Sequence, residues 1–221
     1  MRIGIVSGIL LLSACAGGKM SPEWQSQSHA ALERFKQHYL DGNSRMAQRS
    51  FAEAKAAVAS TGRPELVARV ELYRCALGTA ALDFDACTKF ESTKRDATAE
   101  DRVYGEFVSG QLREQDARRL PSQYRGIATA RDEAARNRAL QQIEDPVSRL
   151  VAAGALFQLA QLSPEGLSTA IDTASAQGYR RALLAYLNVQ AKRAESTGDT
   201  GALDSIRKRI DLVYQSMPKP Q

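Results

Sequence analysis

Prolines that follow a polar residue divide this chain into segments whose apolar residues recur at helical spacing. Ser21-Pro22-Glu23, Asp145-Pro146 and Ser163-Pro164-Glu165 each combine an N-cap residue with a proline in the first helical turn. Alanine is abundant, and no segment shows the sustained apolar–polar alternation of a half-buried strand. The sequence therefore predicts an all-α protein.

The start and stop signals also predict where the helices lie. We expect them at 22–40, 44–60, 64–81, 86–92, 98–108, 122–143, 146–159, 164–177, 179–196 and 201–216. The helix at 146–159 is apolar on most sides, which favours a central position, whereas the polar helix at 122–143 is expected on the outside. In the last helix, Leu203, Ile206, Ile210 and Val213 form the predicted buried stripe. Short loops favour antiparallel hairpins, stacked as an α-solenoid or as an irregular helical bundle.

One hairpin carries a more specific pattern. Gly42, Ala47, Phe51 and Ala54 match the small–small–large–small spacing of the turn and second helix of a tetratricopeptide repeat, so this stretch resembles that class. Gly42 permits the tight turn, the two alanines permit close helix approach, and Phe51 fills the groove. The resemblance covers one repeat, and it implies TPR-like stacking of the hairpins. The alternative is a generic helical hairpin, in which alanines and a loop glycine are common.

The N-terminus has the pattern of an export signal. Arg2 supplies the charge, residues 3–12 supply a short apolar stretch, and small residues follow. The stretch is too short to cross a bilayer core, which needs about 20 helical residues. Leu12-Ser13-Ala14-Cys15 resembles the lipobox of bacterial lipoproteins, which implies cleavage before Cys15 and acylation of this cysteine. An ordinary secretory signal, with Cys15 an accidental neighbour of the cleavage site, is the alternative.

The lipoprotein resemblance also implies a location. An Asp after the cysteine retains such proteins in the inner membrane, and Ala16 follows here, which favours the periplasmic face of the outer membrane. The expected organisation is therefore a signal peptide at 1–14, the lipidated Cys15 and a tether to residue 21, an all-α domain at 22–217, and a tail at 218–221.

Charge and cysteine content narrow the possible partners. The net charge is +5, but the basic residues are scattered among acidic ones rather than clustered, which argues against a nucleic-acid partner. The pair Arg180 and Arg181 is either an anion contact or ordinary surface charge. Cys75 and Cys87 favour a disulfide in an oxidising compartment, across a turn at 82–85; the alternative is two reduced core cysteines.

No catalytic, metal-binding or cofactor-binding pattern emerges from the sequence. His29 and His38 fall on roughly opposite sides of the first helix and cannot share a metal ion. Glu91-Ser92 has the catalytic dipeptide of soluble lytic transglycosylases but lacks the flanking motifs of that family. We expect neither an enzyme nor a cofactor.

These observations predict a non-enzymatic adaptor that binds an envelope protein through a groove between helices, with its oligomeric state left open. The first alternative is a module that binds a small molecule or a peptidoglycan fragment in an interhelical pocket. Tyr124, Tyr179 and Tyr186 are the aromatic candidates for such a pocket. A cell-wall lytic enzyme, suggested only by Glu91-Ser92, ranks third.

Overall fold

The chain folds into helices alone over the residues that the computed structural model describes, which are 22–111 and 114–218. This confirms the predicted all-α class. The eleven α-helices of these residues are α1 Glu23–Leu40, α2 Ser44–Ala59, α3 Pro64–Ala80, α4 Thr88–Thr93, α5 Ala99–Val108, α6 Ser122–Thr129, α7 Glu133–Gln142, α8 Pro146–Gln158, α9 Pro164–Gln177, α10 Arg180–Thr197 and α11 Thr200–Gln215. Short 3-10 turns at Phe84–Cys87 and Glu114–Arg119 precede α4 and α6.

Local capping explains why many of these helices begin where they do. A side-chain oxygen accepts a hydrogen bond from the third backbone N–H of its helix at Asn43, Thr98, Asp132, Asp145, Ser163 and Asp199. Each bond satisfies a donor that the helix itself leaves unpaired. Gly42 and Gly178 have φ angles of +81° and +67°, a conformation that favours glycine, and they end the preceding helices at the predicted points.

Helices α3 and α8 cross at the centre of the molecule. Every residue from Leu150 to Leu156 is buried, which confirms the central position predicted for this helix. Gly154 allows the close approach, because a Cβ atom there would lie only 2.0 Å from the carbonyl oxygen of Thr79 on α3.

The last hairpin, α10 and α11, returns onto the first. Arg180 and Arg181, at the start of α10, donate hydrogen bonds to the carbonyl oxygens of Asp41 (3.2 Å) and Tyr39 (2.7 Å) at the end of α1. In an open solenoid each repeat contacts only its neighbours. The contact between α10 and α1 therefore gives this array of hairpins the character of a bundle.

Two expectations about helices are wrong. The single helix predicted at 122–143 is two helices, because Ala130 is extended and Asp132 starts a new helix by accepting from the N–H of Ala135 at 2.7 Å. The stripe predicted on the last helix is only partly covered: Ile206 is buried, whereas Leu203, Ile210 and Val213 are half-buried. No helix follows α11 in the described part of the chain to cover the rest.

Among the described residues, no helix combines the length and the apolar character needed to span a bilayer.

Candidate functional site

A groove of about 470 Å³ lies between α2, the 3-10 turn at Phe84–Cys87 and the start of α10. We call it the aromatic groove, because Phe35, Tyr39 and Phe51 line it. The ring centroid of Phe35 lies 5.6 Å from that of Tyr39 and 5.1 Å from that of Phe51, so the three buried rings pack together as one cluster beneath the groove.

The residues of the repeat-like motif position this surface. Ala47 and Phe51 line the groove, whereas Ala54 is fully buried and Gly42 forms the turn before α2. Ala47 and Ala54 are both buried on α2, which packs against α1. Phe51 fills the space between the helices and also faces the groove.

The guanidinium groups of two arginines lie over the faces of two of these aromatic rings. The guanidinium carbon of Arg74 lies 4.9 Å from the ring centroid of Phe51, and that of Arg181 lies 4.5 Å from the ring centroid of Tyr39. Arg74 also pairs at 3.0 Å with Glu71, a carboxylate that is only 2 % exposed. Arg181 donates to the hydroxyl oxygen of Ser44 at 2.7 Å. These contacts fix both guanidinium groups before any ligand arrives.

The disulfide-tied turn forms the opposite wall. Cys75 and Cys87 are bonded, with their Cα atoms 4.2 Å apart, and the chain reverses between them as predicted. Asp83 in this turn accepts a hydrogen bond from the hydroxyl of Tyr39 at 2.7 Å. Burial, together with the carboxylate of Asp83, raises the pKa of Tyr39 well above its usual value, so this hydroxyl stays protonated.

Charged side chains without partners lie at the rim of the groove. Asp85 and Lys89 line it and are exposed. Among the described residues, no hydrogen bond or ion pair engages either side chain. The rim therefore offers one free carboxylate and one free ammonium group beside an apolar floor.

The structure gives the two neighbouring arginines a role that the anion-contact hypothesis did not include. Both guanidinium groups donate hydrogen bonds to carbonyl oxygens at the C-terminal end of α1. A guanidinium nitrogen of Arg180 also lies 3.7 Å from a carboxylate oxygen of Asp41. Of the pair, Arg181 lines the aromatic groove. The predicted lipidation site, Cys15, lies outside the described residues.

A second cavity, of about 270 Å³, is lined by Tyr73, Tyr104 and Tyr124. The hydroxyl oxygens of Tyr104 and Tyr124 are 3.3 Å apart, and burial raises the pKa of both side chains. Of the aromatic candidates, Tyr124 therefore lines a cavity. Tyr179 is half-buried beside the core, and Tyr186 is fully buried and donates to the carbonyl oxygen of Leu150.

A third cavity, of about 560 Å³, lies where the predicted helix at 122–143 breaks. Arg131 and Arg136 line it from the two sides of Asp132. Sequence reasoning missed this site because it missed the break. The available signal was Asp132-Glu133, an N-cap residue followed by an acid in the first turn.

Glu91 and Ser92, the dipeptide that matches soluble lytic transglycosylases, do not form a joint site. Glu91 is exposed and pairs at 3.6 Å with Lys94, while Ser92 donates to the carbonyl oxygen of Lys89. In the described part of the chain, no three His, Cys, Asp or Glu side chains are grouped to hold a metal ion. Comparisons with protein-family models, with curated proteins and with solved structures find no match to this chain.

Proposed function

We propose that this protein is a non-enzymatic adaptor that binds a segment of an envelope protein in the aromatic groove while Cys15 anchors it to the outer membrane. The observation that carries the proposal is the groove itself, where aromatic rings, fixed arginines and free rim charges converge from separate elements. The anchor is supported by the lipobox resemblance of Leu12-Ser13-Ala14-Cys15.

The groove suits a peptide segment better than a small polar metabolite. Protein-binding hot spots combine desolvated aromatic and arginine side chains with a polar rim. Here Phe35, Tyr39 and Phe51 form the apolar lining, and Asp85 and Lys89 supply opposite charges at the edge. The contacts of Arg74 and Arg181 order the site in advance, which lowers the entropic cost of binding.

Site-specific photocrosslinking in intact cells tests where a partner binds. A photoreactive amino acid at Gln48, which lines the groove and is exposed, is expected to give a discrete protein adduct. The same amino acid at Gln25 is the matched control, because Gln25 is exposed on α1 and lies outside the groove. Equal adducts from both positions, or no protein adduct from Gln48, would overturn the proposal.

A charge reversal tests the rim without disturbing the core. Lys89→Glu is expected to reduce the Gln48 adduct severalfold, because it changes the charge that meets the partner. Lys192→Glu makes the same change in net charge at an exposed site on α10 and should leave the adduct unchanged. A loss of equal size in both variants would mean that net charge, rather than the groove, controls binding.

A wall-fragment-binding module is the second candidate, and the tyrosine-lined cavity favours it. In the described part of the chain the hydroxyl of Tyr73 has no hydrogen-bond partner, and Asp145 lines the same cavity. If the cavity binds muropeptides, these should raise the melting temperature of the protein, and Tyr73→Phe should reduce that shift. Absence of a shift with muropeptides would exclude this second candidate.

A further inference from the structure

The cavity at the break between α6 and α7, which we call the break cavity, has an unusual combination of groups. Its walls come from the ends of α5, α6 and α8, from the segment joining α6 to α7, and from the start of α7. Its volume of about 560 Å³ lies within the range of small-molecule sites. It shares no lining residue with the aromatic groove, so its role can be tested separately.

Both cations of the break cavity lack a partner. Among the described residues, the side chains of Arg131 and Arg136 make no hydrogen bond, no ion pair and no contact with an aromatic ring face. The Nε atom of Arg136 is buried and unpaired. In addition, no Asp or Glu is among the described residues that line the cavity. A buried guanidinium N–H without an acceptor is costly, and a bound anion would remove that cost.

The remaining wall is apolar. Phe107, Ile127 and Leu156 are buried there, and Leu159 lies at the edge with 46 % of its surface exposed. Leu159 is one of only three large apolar side chains exposed in the described part of the chain. An occupant with an apolar part would cover this surface, which inorganic phosphate alone cannot do.

The helix break creates this arrangement. Ala130 is extended and Asp132 caps α7, so Arg131 lies on the connecting segment and Arg136 on the first turns of the next helix. In one continuous helix the two side chains would lie five residues apart and on different faces. The break lets both line one cavity.

We propose that the break cavity binds a small amphipathic anion, a carboxylate or phosphate group that carries an apolar chain. The two guanidinium groups pair with the oxyanion, for which arginine is well suited geometrically. The apolar chain lies against Leu156 and Leu159. A cation is disfavoured by the two positive charges, and a neutral chain would leave the buried Nε of Arg136 unpaired.

Calorimetric titration with defined probes tests the ligand class. Decanoate and decyl phosphate, both below their micelle concentrations, represent the two sources of the oxyanion; decan-1-ol and inorganic phosphate each lack one half of the ligand. Binding of one or both amphipathic anions at least about tenfold tighter than decan-1-ol and phosphate supports the proposal. The tighter of the two anions identifies the head group. Equal affinity for decan-1-ol, or no binding of either anion, overturns it.

Substitutions inside and outside the break cavity test whether the probes bind there. Arg136→Met keeps the side-chain stem and removes the guanidinium group, so decanoate affinity should fall about tenfold or more. Leu159→Gln, at an exposed position, should weaken the amphipathic anions severalfold without changing the fold. Arg138→Gln on the same helix is the control, because Arg138 is exposed and outside the cavity. The proposal fails if Arg136→Met binds decanoate as wild type does, or if Arg138→Gln loses as much affinity.

Discussion

The guanidinium group of Arg181 lies over the ring of Tyr39, 4.5 Å from its centroid, and donates a 2.7 Å hydrogen bond to the carbonyl oxygen of the same residue. One side chain of α10 therefore adds a hydrogen-bond donor at the C-terminal end of α1 and covers an aromatic ring of the groove. Since these two residues are far apart in the sequence, their contact joins the end of the fold to its beginning.

Removal of this contact should weaken the whole fold. Arg181→Ala removes one of the two donors to the carbonyl of Tyr39, the other being the N–H of Gly42, and it also removes the bond to Ser44 and uncovers the ring. The free energy of unfolding should therefore fall by about 1–3 kcal/mol. Urea denaturation measures the change. Arg138→Ala, at an exposed site that has no partner among the described residues, should stay within about 0.5 kcal/mol of wild type. Equal effects of the two variants would show that Arg181 does not join the two hairpins.

Stability should fall at alkaline pH because several tyrosines are buried. Burial raises the pKa of Tyr104 and Tyr186 far above the value of about 10 that tyrosine has in an unfolded chain. Above about pH 10 the unfolded state loses these protons while the folded state keeps them, so the free energy of unfolding decreases as pH rises. Urea denaturation at a series of pH values measures this slope.

Tyr186→Phe is the matched variant for this pH dependence. It removes one buried hydroxyl and its hydrogen bond to the carbonyl oxygen of Leu150, so it should be less stable than wild type at neutral pH. Its stability should then fall less steeply with rising pH, because one fewer group titrates. An unchanged slope would mean that Tyr186 is not shielded from solvent.

The helix boundaries could be predicted where they depend on local chemistry. Thr98 accepts from the N–H of Asp101 at 3.1 Å and Ser163 from that of Gly166 at 2.9 Å, and each bond involves residues only three apart in the sequence. The break at 130–132 has no glycine or proline, so helical spacing outweighed the weaker signal of Asp132. The incomplete burial of α11 arises because no further helix covers it within residues 22–111 and 114–218, and no local pattern encodes such an arrangement.

The same distinction between local sequence signals and tertiary contacts applies to the residues of the candidate sites. Ala47 and Phe51 could be identified because the motif that contains them is contiguous in the sequence. The contribution of Arg181 to the same groove depends on the return of α10 to α1, which is a tertiary contact. The presence of Arg131 and Arg136 in the lining of one cavity depends on a helix break that the sequence signals only weakly.

Membrane attachment should depend on Cys15. Cys15→Ala is expected to accumulate as an uncleaved precursor without the acyl mass, because lipoprotein processing requires the cysteine at this position. Wild-type protein should fractionate with the outer membrane, and intact mass should show the lipid. A wild-type protein recovered free in the periplasm, with Ala16 or a later residue at its N-terminus, would refute the anchor.

The disulfide should stabilise the turn that walls the aromatic groove. In a Cys15→Ser background, where Cys75 and Cys87 are the remaining cysteines, alkylation should modify no thiol before reduction and two after it. Replacing both by alanine should lower the free energy of unfolding by about 3 kcal/mol, from the chain entropy of a loop this short. Helical circular dichroism should persist, since most of the core lies outside this turn. Two free thiols in the non-reduced protein would disprove the bridge.

The crossing of α3 and α8 should tolerate no larger side chain at Gly154. A Cβ atom there would lie 2.0 Å from the backbone oxygen of Thr79, and backbone cannot move aside as a flexible side chain can. Gly154→Ala should therefore lower the free energy of unfolding by at least about 2 kcal/mol, although alanine is the better helix former. Gly201→Ala is the control: its nearest neighbour, a carboxylate oxygen of Asp199, would be 3.8 Å away, so stability should stay equal or rise slightly. If Gly154→Ala is tolerated as well as Gly201→Ala, the two central helices cannot pack this closely.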